Sequence, residues 1–392
     1  MLNKKKIIFP AAYFCSWNGG TKLIKMCLDS ILYFDKKKKF EYILLLPDKN
    51  ILSYSKRFFF VSKNIVKNIL AFNLKYVEWP YHNNAKELRN FFSKRKNLKI
   101  VGVDYRNEKK YLNDKKNINF LSMDINSNNQ KIGYIFDFQH KYLNNLFSSN
   151  QITDRDIFFK KIVENNNQII VNSNQTKKDI FKFYNTVHTK VEVLPFLPFM
   201  DFDVGSIDKR IFKEDYFVIC NQFWRHKNFE TAIQAFKNLR KCSFKLVITG
   251  QLNSKNKKYF NEILNLIRKN QLEKNIIIMN NLEKKVQLNL IKYSVALIQP
   301  SLFEGGPGGF SVYEAISLGK PVIVSGIKVN REIKYNKKFF FKTKDHNDLK
   351  KKIIYVYKKK YKKISINTLI KKSNRNKFMF GKFLYNVISK IN

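Results

Sequence analysis

Cysteine, proline and glycine are all scarce in this sequence. Its 392 residues include 4 cysteines, 8 prolines and 13 glycines. The cysteines form no CxxC pair, which disfavours a disulfide scaffold and a thiolate metal site, so we interpret them as small apolar residues of a reducing compartment. They are Cys15, Cys27, Cys220 and Cys242. With 44% hydrophobic residues, the chain has the length and composition for two globular domains with buried cores.

Long hydrophobic runs are absent as well. No run of 18 apolar residues occurs, so the sequence predicts no membrane-spanning helix. The first 17 residues, MLNKKKIIFPAAYFCSW, combine a basic start with a short apolar run, as a secretory signal does. However, Pro10 interrupts the run and Asn18, Gly19 and Gly20 follow it instead of a small-residue cleavage site. We therefore expect a cytoplasmic protein.

Acidic residues are the third deficit. There are 30 Asp and Glu against 75 Lys and Arg, for a formal charge of +45. Such a charge is compatible with binding to nucleic acid, to an anionic membrane or to a negatively charged substrate. The lysines are spread through the chain together with Asn, Ile, Phe and Tyr, as AT-rich codon usage would produce, so we favour a compositional origin and predict no specific nucleic-acid partner. The charge still favours acidic lipid, by about 1 kcal/mol for each basic residue that reaches the surface.

The most informative stretch is QPSLFEGGPGGFSVYEAISLGKPVIV, residues 299–324. It lies between two predicted strands, Val295–Gln299 and Pro321–Val324, and contains a glycine loop and then a helix. Glycines before a helix leave backbone N–H groups open to an anion at the positive end of the helix dipole. Ser311 is expected to cap that helix, and Glu314 either completes a capping box or binds a ligand. Glu304 lies at the end of a strand, where open α/β sheets bind ligands, and its carboxylate can accept hydrogen bonds from two sugar hydroxyls.

This stretch resembles the signature of the GT4-type, or group 1, retaining glycosyltransferases. The resemblance implies a two-domain GT-B fold in which Glu304 and the neighbouring loop amides hold the donor sugar and Glu314 holds the ribose. The loop residues concerned are Gly308, Gly309, Phe310 and Ser311. The family usually has seven residues between the two glutamates, whereas this chain has nine, because the loop reads GGPGGFSVY.

A second candidate segment, NQFWRHKN, follows the predicted strand Tyr216–Cys220. Cations at the carboxyl end of a strand can neutralise a diphosphate, Lys227 as a point charge and Arg225 as a bidentate fork. The alternative is a solvated basic loop. The resemblance places Lys227 on the family's phosphate lysine, while the family's usual arginine a few residues earlier is replaced by Gln222 or a neighbour.

In the first half, the segment FDFQH ends a predicted strand, Ile132–Phe136. A single histidine is more often a packing residue than a catalytic one, but His140 lies where the carboxyl end of the sheet is expected. The resemblance implies that His140 meets the donor sugar near the reaction centre. Asp137 is expected either to orient His140 or to cap the following helix.

Gly19 and Gly20 form another candidate donor contact. They follow a predicted strand, Ile7–Phe14, and precede a helix for which Thr21 is the expected cap. The resemblance implies that this loop lies against the donor. A simple tight turn is the alternative, because two adjacent glycines are a weak signal.

Alternating strand and helix patterns predict two parallel sheets, each covered by helices on both faces. We expect two Rossmann-like, doubly wound domains that face a central cleft. The predicted divisions are an acceptor-side domain, 1–198, a donor-binding domain, 199–371, and a C-terminal helix, 377–392, that packs back on the first domain. Between Asn107 and Lys131 the pattern is polar, and we expect only surface loop.

The expected activity is transfer of a hexose, mannose- or glucose-like, from a nucleotide diphosphate sugar to a hydroxyl of a glycan or lipid-linked glycan, in surface polysaccharide or lipopolysaccharide biosynthesis. Retention of configuration follows from the resemblance. No cofactor or metal is expected, since protein cations can stabilise the leaving diphosphate, and peripheral contact with an anionic membrane is expected. Two alternatives stay open: a sugar-nucleotide epimerase of the same fold, and a non-enzymatic polyanion or membrane-surface binding protein.

Overall fold

The computed structural model describes residues 4–47, 80–103, 105–124, 131–186, 188–199, 209–250, 252 and 256–391. The chain forms two compact units. The first comprises Met1–Pro195 and Lys377–Asn392, and the second comprises Phe196–Asn376. A further strand predicted at Leu74–Trp79 lies outside the described residues. Within the described part, no helix is both long and apolar enough to cross a membrane.

The first unit is built on a seven-stranded parallel sheet with the order β3-β2-β1-β4-β5-β6-β7. The strands are β1 (Lys6–Pro10), β2 (Glu41–Pro47), β3 (Leu98–Val103), β4 (Asn117–Ser122), β5 (Lys131–Ile135), β6 (Gln168–Val171) and β7 (Lys190–Val193). Since β1 to β3 extend the sheet in one direction and β4 to β7 in the other, the order reverses between β1 and β4. This point is where a doubly wound sheet opens a crevice at its carboxyl edge.

Helices connect these strands. They are α1 (Asn18–Phe34), α2 (Pro80–Phe92), α3 (Tyr105–Asn113), α4 (Gln139–Tyr142), α5 (Ser149–Glu164) and α6 (Asn174–Phe183). Helix α5 begins with a complete capping box, in which Ser148 and Gln151 bond each other's backbone N–H groups. This helix carries several of the charged residues discussed below.

Three local predictions for this unit were wrong. The segment expected to be surface loop contains most of α3 and all of β4, and all six residues of β4 are buried. Thr21 does not cap α1, because the helix already begins at Asn18 and its N-cap is Trp17. The first strand also ends earlier than predicted, at Pro10, and a short 3-10 helix, Phe14–Ser16, follows it.

The second unit has a six-stranded parallel sheet with the order β10-β9-β8-β11-β12-β13. Its strands are β8 (Tyr216–Cys220), β9 (Lys245–Thr249), β10 (Ile276–Met279), β11 (Leu297–Gln299), β12 (Val322–Ser325) and β13 (Lys338–Phe341). Its helices are α7 (Phe229–Lys237), α8 (Lys257–Lys269), α9 (Lys284–Tyr293), α10 (Gly309–Ser317) and α11 (His346–Lys359). Here the order reverses between β8 and β11.

Alternate residues of β8 belong to cores on opposite faces of this sheet. Phe217 and Ile219 pack in one core, while Tyr216 and Val218 pack in the other. A strand covered on both faces is typical of parallel sheets with helices on each side. The predicted α/β class with two doubly wound sheets is therefore confirmed.

The last helix, α12 (Ile366–Ser389), contributes its residues from Lys377 onward to the first unit. There Lys377 forms an ion pair with Asp29 of α1, which is 3% exposed. Gly381 lies so close to α1 that a Cβ on it would be 2.1 Å from the carbonyl oxygen of Ser30. Only glycine permits this helix crossing without a shift of the backbone.

Candidate active site

The loops that follow β8 and β11 are joined at the point where the strand order reverses. The backbone N–H of Leu302 donates to the carbonyl of His226 at 2.7 Å. Asn228, which ends the 3-10 helix Arg225–Lys227 with a left-handed φ of 52°, donates from its amide to the carbonyl of Pro300 at 2.9 Å. Asn tolerates this conformation better than most residues. These bonds hold the two candidate segments beside each other at the carboxyl edge of the sheet.

Glu304 is the centre of the arrangement. Its Oε1 accepts from the Lys227 ammonium at 2.6 Å and from the Gln299 amide nitrogen at 2.7 Å. The Gln299 carbonyl in turn accepts from Asn221 at 3.0 Å and from the Ser311 hydroxyl at 3.4 Å. Lys227 and Glu304 are only 15% and 10% exposed. The structure therefore brings together Lys227 of one predicted segment with Glu304 and Ser311 of the other.

The charge on Glu304 is maintained by its neighbours. Burial acts to raise the pKa of Glu304, but the charge and hydrogen bond of Lys227 outweigh burial, and the net pKa is lowered. Next to this pair, burial and the charge of Lys227 lower the pKa of His226 to about 3. At neutral pH the site thus contains an ionised carboxylate, an ammonium and a neutral imidazole.

The glycine loop before α10 has the backbone conformation that its residues suggest. Gly308 and Gly309 have φ values of 69° and 68°, which L-residues rarely adopt. The N–H of Gly308 donates to the Asn330 side chain at 2.9 Å, and Asn330 donates to the carbonyl of Ser325 at 2.9 Å. A Cβ on Gly309 would lie 3.4 Å from Oε2 of Glu304, so the start of α10 adjoins the carboxylate.

The predicted capping box at α10 is wrong. The helix begins at Gly309 with Gly308 as N-cap, and no side chain caps it. Ser311 therefore lies within the first turn. Glu314 forms an ion pair with Lys284 at the start of α9 and is 11% exposed. Phe310 is half-buried with its ring 6.1 Å from that of Tyr313. The roles of these residues toward a donor stay predictions.

Arg225 does not join Glu304. Its guanidinium donates to both carboxylate oxygens of Glu262 on α8, at 2.6 and 2.7 Å, and lies 5.0 Å from the centre of the Tyr259 ring. The side chain is 49% exposed. As placed, Arg225 is engaged on the α8 side of the loop, and its predicted contact with a diphosphate stays a prediction.

His140 in the first unit is completely buried. Its Nε2 bonds Oδ1 of Asp156 at 3.1 Å, and Lys141 pairs with the other oxygen of the same carboxylate. Burial lowers the pKa of His140, although the bond to Asp156 acts in the opposite direction. Asp137 bonds the N–H of Gln139 at 2.9 Å, so Asp156 rather than Asp137 orients the imidazole. A direct role of His140 at the sugar stays a prediction.

Gly19 and Gly20 lie in the first turn of α1, not in a tight turn before it. A Cβ on Gly20 would be 2.6 Å from the carbonyl oxygen of Phe14 and 2.8 Å from the Trp17 indole. Glycine at position 20 is therefore required by packing against the preceding 3-10 helix. Contact of either glycine with the donor stays a prediction.

Sequence reasoning missed four residues of the second-unit site: Asn221, His226, Gln299 and Asn330. Gln299 and Asn221 are polar residues at the ends of buried strands, a position that could have identified them. Asn330 lies far along the chain from the loop that it holds, and no local pattern marks it. Among the described residues, no group of three or more His, Cys, Asp or Glu is placed to hold a metal ion.

A comparison with known protein families covers this part of the chain. The model of the family "Glycosyl transferases group 1" matches residues 207–374, which contain Lys227, Glu304, the glycine loop and Glu314. Residues 207–374 of the chain are thus similar to the group 1 glycosyltransferases, which supports the predicted family. No curated protein sequence matches the chain significantly.

Solved structures support the GT-B fold of this chain. HepE of Anabaena, in complex with UDP and glucose, has a TM-score of 0.63 and 10% identity, over 99% of this chain and 100% of its own. Sucrose-phosphate synthase of Thermosynechococcus elongatus has a TM-score of 0.56 and 12% identity, over 97% and 95%. A glycosyltransferase of Rickettsia africae has a TM-score of 0.54 and 16% identity, over 99% and 97%. At these identities the likeness concerns the fold.

Proposed function

We propose that this glycosyltransferase moves a hexose, mannose- or glucose-like, from a nucleotide diphosphate sugar to a hydroxyl of a glycan or lipid-linked glycan, with retention of anomeric configuration. The proposed setting is surface polysaccharide or lipopolysaccharide biosynthesis. The observation that carries the proposal is the contact between Lys227 and Glu304 at 2.6 Å, beside the start of α10. A cation, a helix N-terminus and a carboxylate in one place match the two halves of a sugar diphosphate.

In the proposed mechanism, the bond between the sugar C1 and the diphosphate oxygen breaks, and C1 bonds the acceptor hydroxyl oxygen, whose proton passes to the leaving diphosphate. Negative charge builds on the leaving diphosphate, where Lys227 and the N–H groups at the start of α10 stabilise it. Glu304 accepts hydrogen bonds from sugar hydroxyls, with Gln299 fixing the orientation of its carboxylate. We assign the ribose to Glu314, an additional diphosphate contact to Arg225, and a place near the anomeric carbon to His140. Gly19 and Gly20 are assigned to contact with the donor.

An ionised Glu304 suits the proposed binding of the donor sugar. A carboxylate accepts hydrogen bonds with both oxygens, and it also favours the positive charge that develops at the anomeric carbon in glycosyl transfer. Removing one preorganised contact of this kind typically reduces turnover by about two orders of magnitude. The residues around Glu304 thus stabilise the protonation state that the reaction needs.

A lipid-linked acceptor would bring the protein to a membrane. The formal charge of +45 favours peripheral contact with an anionic surface. We propose that such contact accompanies the reaction on the cytoplasmic face of the membrane.

A panel of nucleotide sugars tests the proposal. Since HepE is described in complex with UDP and glucose, uridine diphosphate hexoses are the first probes, followed by guanosine and adenosine diphosphate hexoses. A donor at a hundred times its dissociation constant should add about 2.7 kcal/mol to the free energy of unfolding. Glu304→Gln should reduce this stabilisation, whereas Glu273→Gln, which changes an exposed carboxylate after α8, should retain it.

Product analysis decides the reaction class. A transferase forms a new glycoside only when an acceptor is supplied, while an epimerase changes the donor sugar without one. Absence of stabilisation by every donor in the panel would contradict the proposal, as would donor-independent binding to polyanions that Glu304→Ala leaves unchanged.

A further inference from the structure

Arg155 of the first unit is a cation held by aromatic rings. It lies on α5 with a side chain that is 13% exposed. Its guanidinium carbon is 5.1 Å from the ring centres of both Phe136 and Phe147 and 5.9 Å from that of Phe159. Such stacking restrains the planar group to a single orientation. Arg155 is therefore preorganised before it meets any partner outside the chain.

The hydrogen-bonding capacity of Arg155 is unused. Its ion pair with Asp137 spans 3.7 Å, beyond hydrogen-bond distance, and within the described residues the guanidinium donates no hydrogen bond. A guanidinium has five N–H donors, and the nitrogens of Arg155 are not fully buried, so a ligand can reach them. Structural arginines usually bond carboxylates or carbonyls, so this one is placed to bond a ligand.

The surroundings indicate what that ligand contains. Phe136 and Asp137 directly follow β5, and Tyr13 and Trp17 follow β1, so all four lie at the carboxyl edge near the reversal between β1 and β4. The Trp17 ring centre is 5.8 Å from that of Phe136 and 5.1 Å from that of Tyr13. All three rings are half-buried. Partly exposed rings offer flat apolar faces, on which the C–H face of a sugar can pack.

We propose that this aromatic shelf, Tyr13, Trp17 and Phe136 with Arg155, is the acceptor subsite, and that the acceptor carries an anionic group next to the sugar that it presents. Arg155 pairs with the anion, and Trp17 packs against the sugar ring. The inference rests on the proposed transferase function and names its acceptor class. The anion is a carboxylate of an acidic sugar or a phosphate of a lipid-diphosphate linkage, since Arg binds both in the same bidentate manner.

Three synthetic acceptors with the same chain length separate these cases: octyl glucoside, octyl glucuronide and glucosyl octyl diphosphate. With the preferred donor, wild-type enzyme should show a KM about ten- to a hundredfold lower for one of the two anionic acceptors than for the neutral one, the range expected for a charge-assisted hydrogen bond. Preference for the glucuronide indicates an acidic sugar, and preference for the diphosphate indicates a lipid linkage. Arg155→Gln should abolish the preference and leave the KM of the donor within twofold.

Lys160→Gln is the matched control, because Lys160 lies on the same helix, is 65% exposed and changes the net charge equally. It should retain the preference. Arg155→Lys keeps the charge without the planar fork, so its KM for the anionic acceptor should be intermediate. This variant also keeps the proposal testable if Arg155→Gln does not fold. Equal KM values for all three acceptors in the wild type would overturn the proposal. A raised donor KM in Arg155→Gln would also overturn it, because the guanidinium would then serve the donor.

Binding can be followed without turnover. In a variant with Trp79→Phe and Trp224→Phe, the fluorescence of Trp17 should respond to the anionic acceptor at lower concentrations than to octyl glucoside. No difference between the compounds contradicts the acceptor subsite, whatever the donor assays show. Failure of every donor to stabilise the enzyme, with an intact fluorescence response, contradicts the transferase function instead.

Discussion

At the scale of single residues, the ion pair of Lys227 and Glu304 serves two purposes. Both side chains are nearly buried, so each charge needs the other for stability. The same two charges are placed to contact opposite ends of a sugar diphosphate. Stability and proposed catalysis are therefore coupled at this pair, and variants should affect both.

We expect Glu304→Gln and Lys227→Met each to lower the free energy of unfolding by about 3 kcal/mol, because each leaves a buried charge without its partner. The double variant should lose less than the sum, since neither charge remains. All three should lose about two orders of magnitude in turnover. Urea denaturation and initial rates measure the two effects. Additive losses of stability would show that the pair is not coupled.

His226 should make the enzyme sensitive to acid. Its pKa in the folded protein is lowered to about 3, whereas an unfolded chain binds the proton near pH 6.5. Between these values the unfolded state binds more protons, so stability falls as the pH falls through this window. In thermal unfolding scans, His226→Gln should reduce the loss of stability between pH 6.5 and about 4. His188→Gln, an exposed histidine of the first unit, is the control and should follow the wild type.

At the scale of elements, the sequence predicted most of the apolar strands but not β13, and it missed the polar strand β4. The sequence predicts strands at Tyr42–Leu46 and Gln168–Val171, and these form β2 and β6, which are buried on both faces. β4 was missed because Asn117 and Asn119 interrupt its apolar pattern. Their amide nitrogens donate to carbonyls at the end of α3, at 2.9 and 2.8 Å, so these donors are satisfied inside the fold. Among the described residues, the buried side-chain oxygens of both asparagines have no hydrogen-bond partner.

The candidate site was also predicted only in part. Glu304 and Lys227 could be found because each follows a recognisable strand within a motif. Their contact could not, since it joins residues 77 positions apart and depends on β8 and β11 being neighbours. Asp156 was missed as the partner of His140 for the same reason, whereas the nearer Asp137 was considered. Local patterns predict where an element begins, and only the strand order predicts which loops meet.

Gly250 shows how closely the elements of the second unit approach each other. It follows β9, and a Cβ there would lie 1.9 Å from the carbonyl oxygen of Asn221, the residue that bonds Gln299. We expect Gly250→Ala to lower the free energy of unfolding by about 3 kcal/mol, the upper end for overpacking, and to weaken donor binding by shifting Asn221. Denaturant unfolding and donor titration measure this.

Gly326→Ala is the control for Gly250→Ala. Its closest contact would be 3.1 Å from a carbonyl oxygen, which a small shift can relieve. Its effect on stability should be clearly smaller, and donor affinity should not change. Equal effects of both variants would contradict the assignment of Gly250 as a position of backbone contact.

At the scale of the whole molecule, each unit repeats one architecture, with a parallel sheet whose order reverses once. The candidate donor site lies at the reversal in the second sheet, and the proposed acceptor subsite lies at the reversal in the first. The residues of α12 are divided between the two units at Lys377. The part in the first unit is held in place by Lys377 and Gly381. In both sheets, the proposed binding residues therefore lie at the carboxyl ends of the strands.

The net charge of +45 leads to a prediction about membranes. Because the lysines are distributed, we expect binding to vesicles of anionic phospholipid at about 0.05 M salt and release by about 0.5 M, as screening shortens the range of the attraction. Vesicles of neutral phosphatidylcholine should not bind. Co-sedimentation measures both. Binding that resists salt would point instead to insertion of apolar side chains.

Two triple variants decide whether α12 is a specific membrane contact or one basic surface among many. Lys371, Lys372 and Arg375 are exposed on α12, whose exposed apolar residues include Phe378 and Met379 at 42% and 44%. Lys36, Lys37 and Lys39 are exposed after α1. If the charge acts as a whole, changing either set to glutamine should weaken vesicle binding equally, because each removes three charges. A much larger loss from the α12 set would show that this helix lies on the lipid and that the distributed charge is secondary.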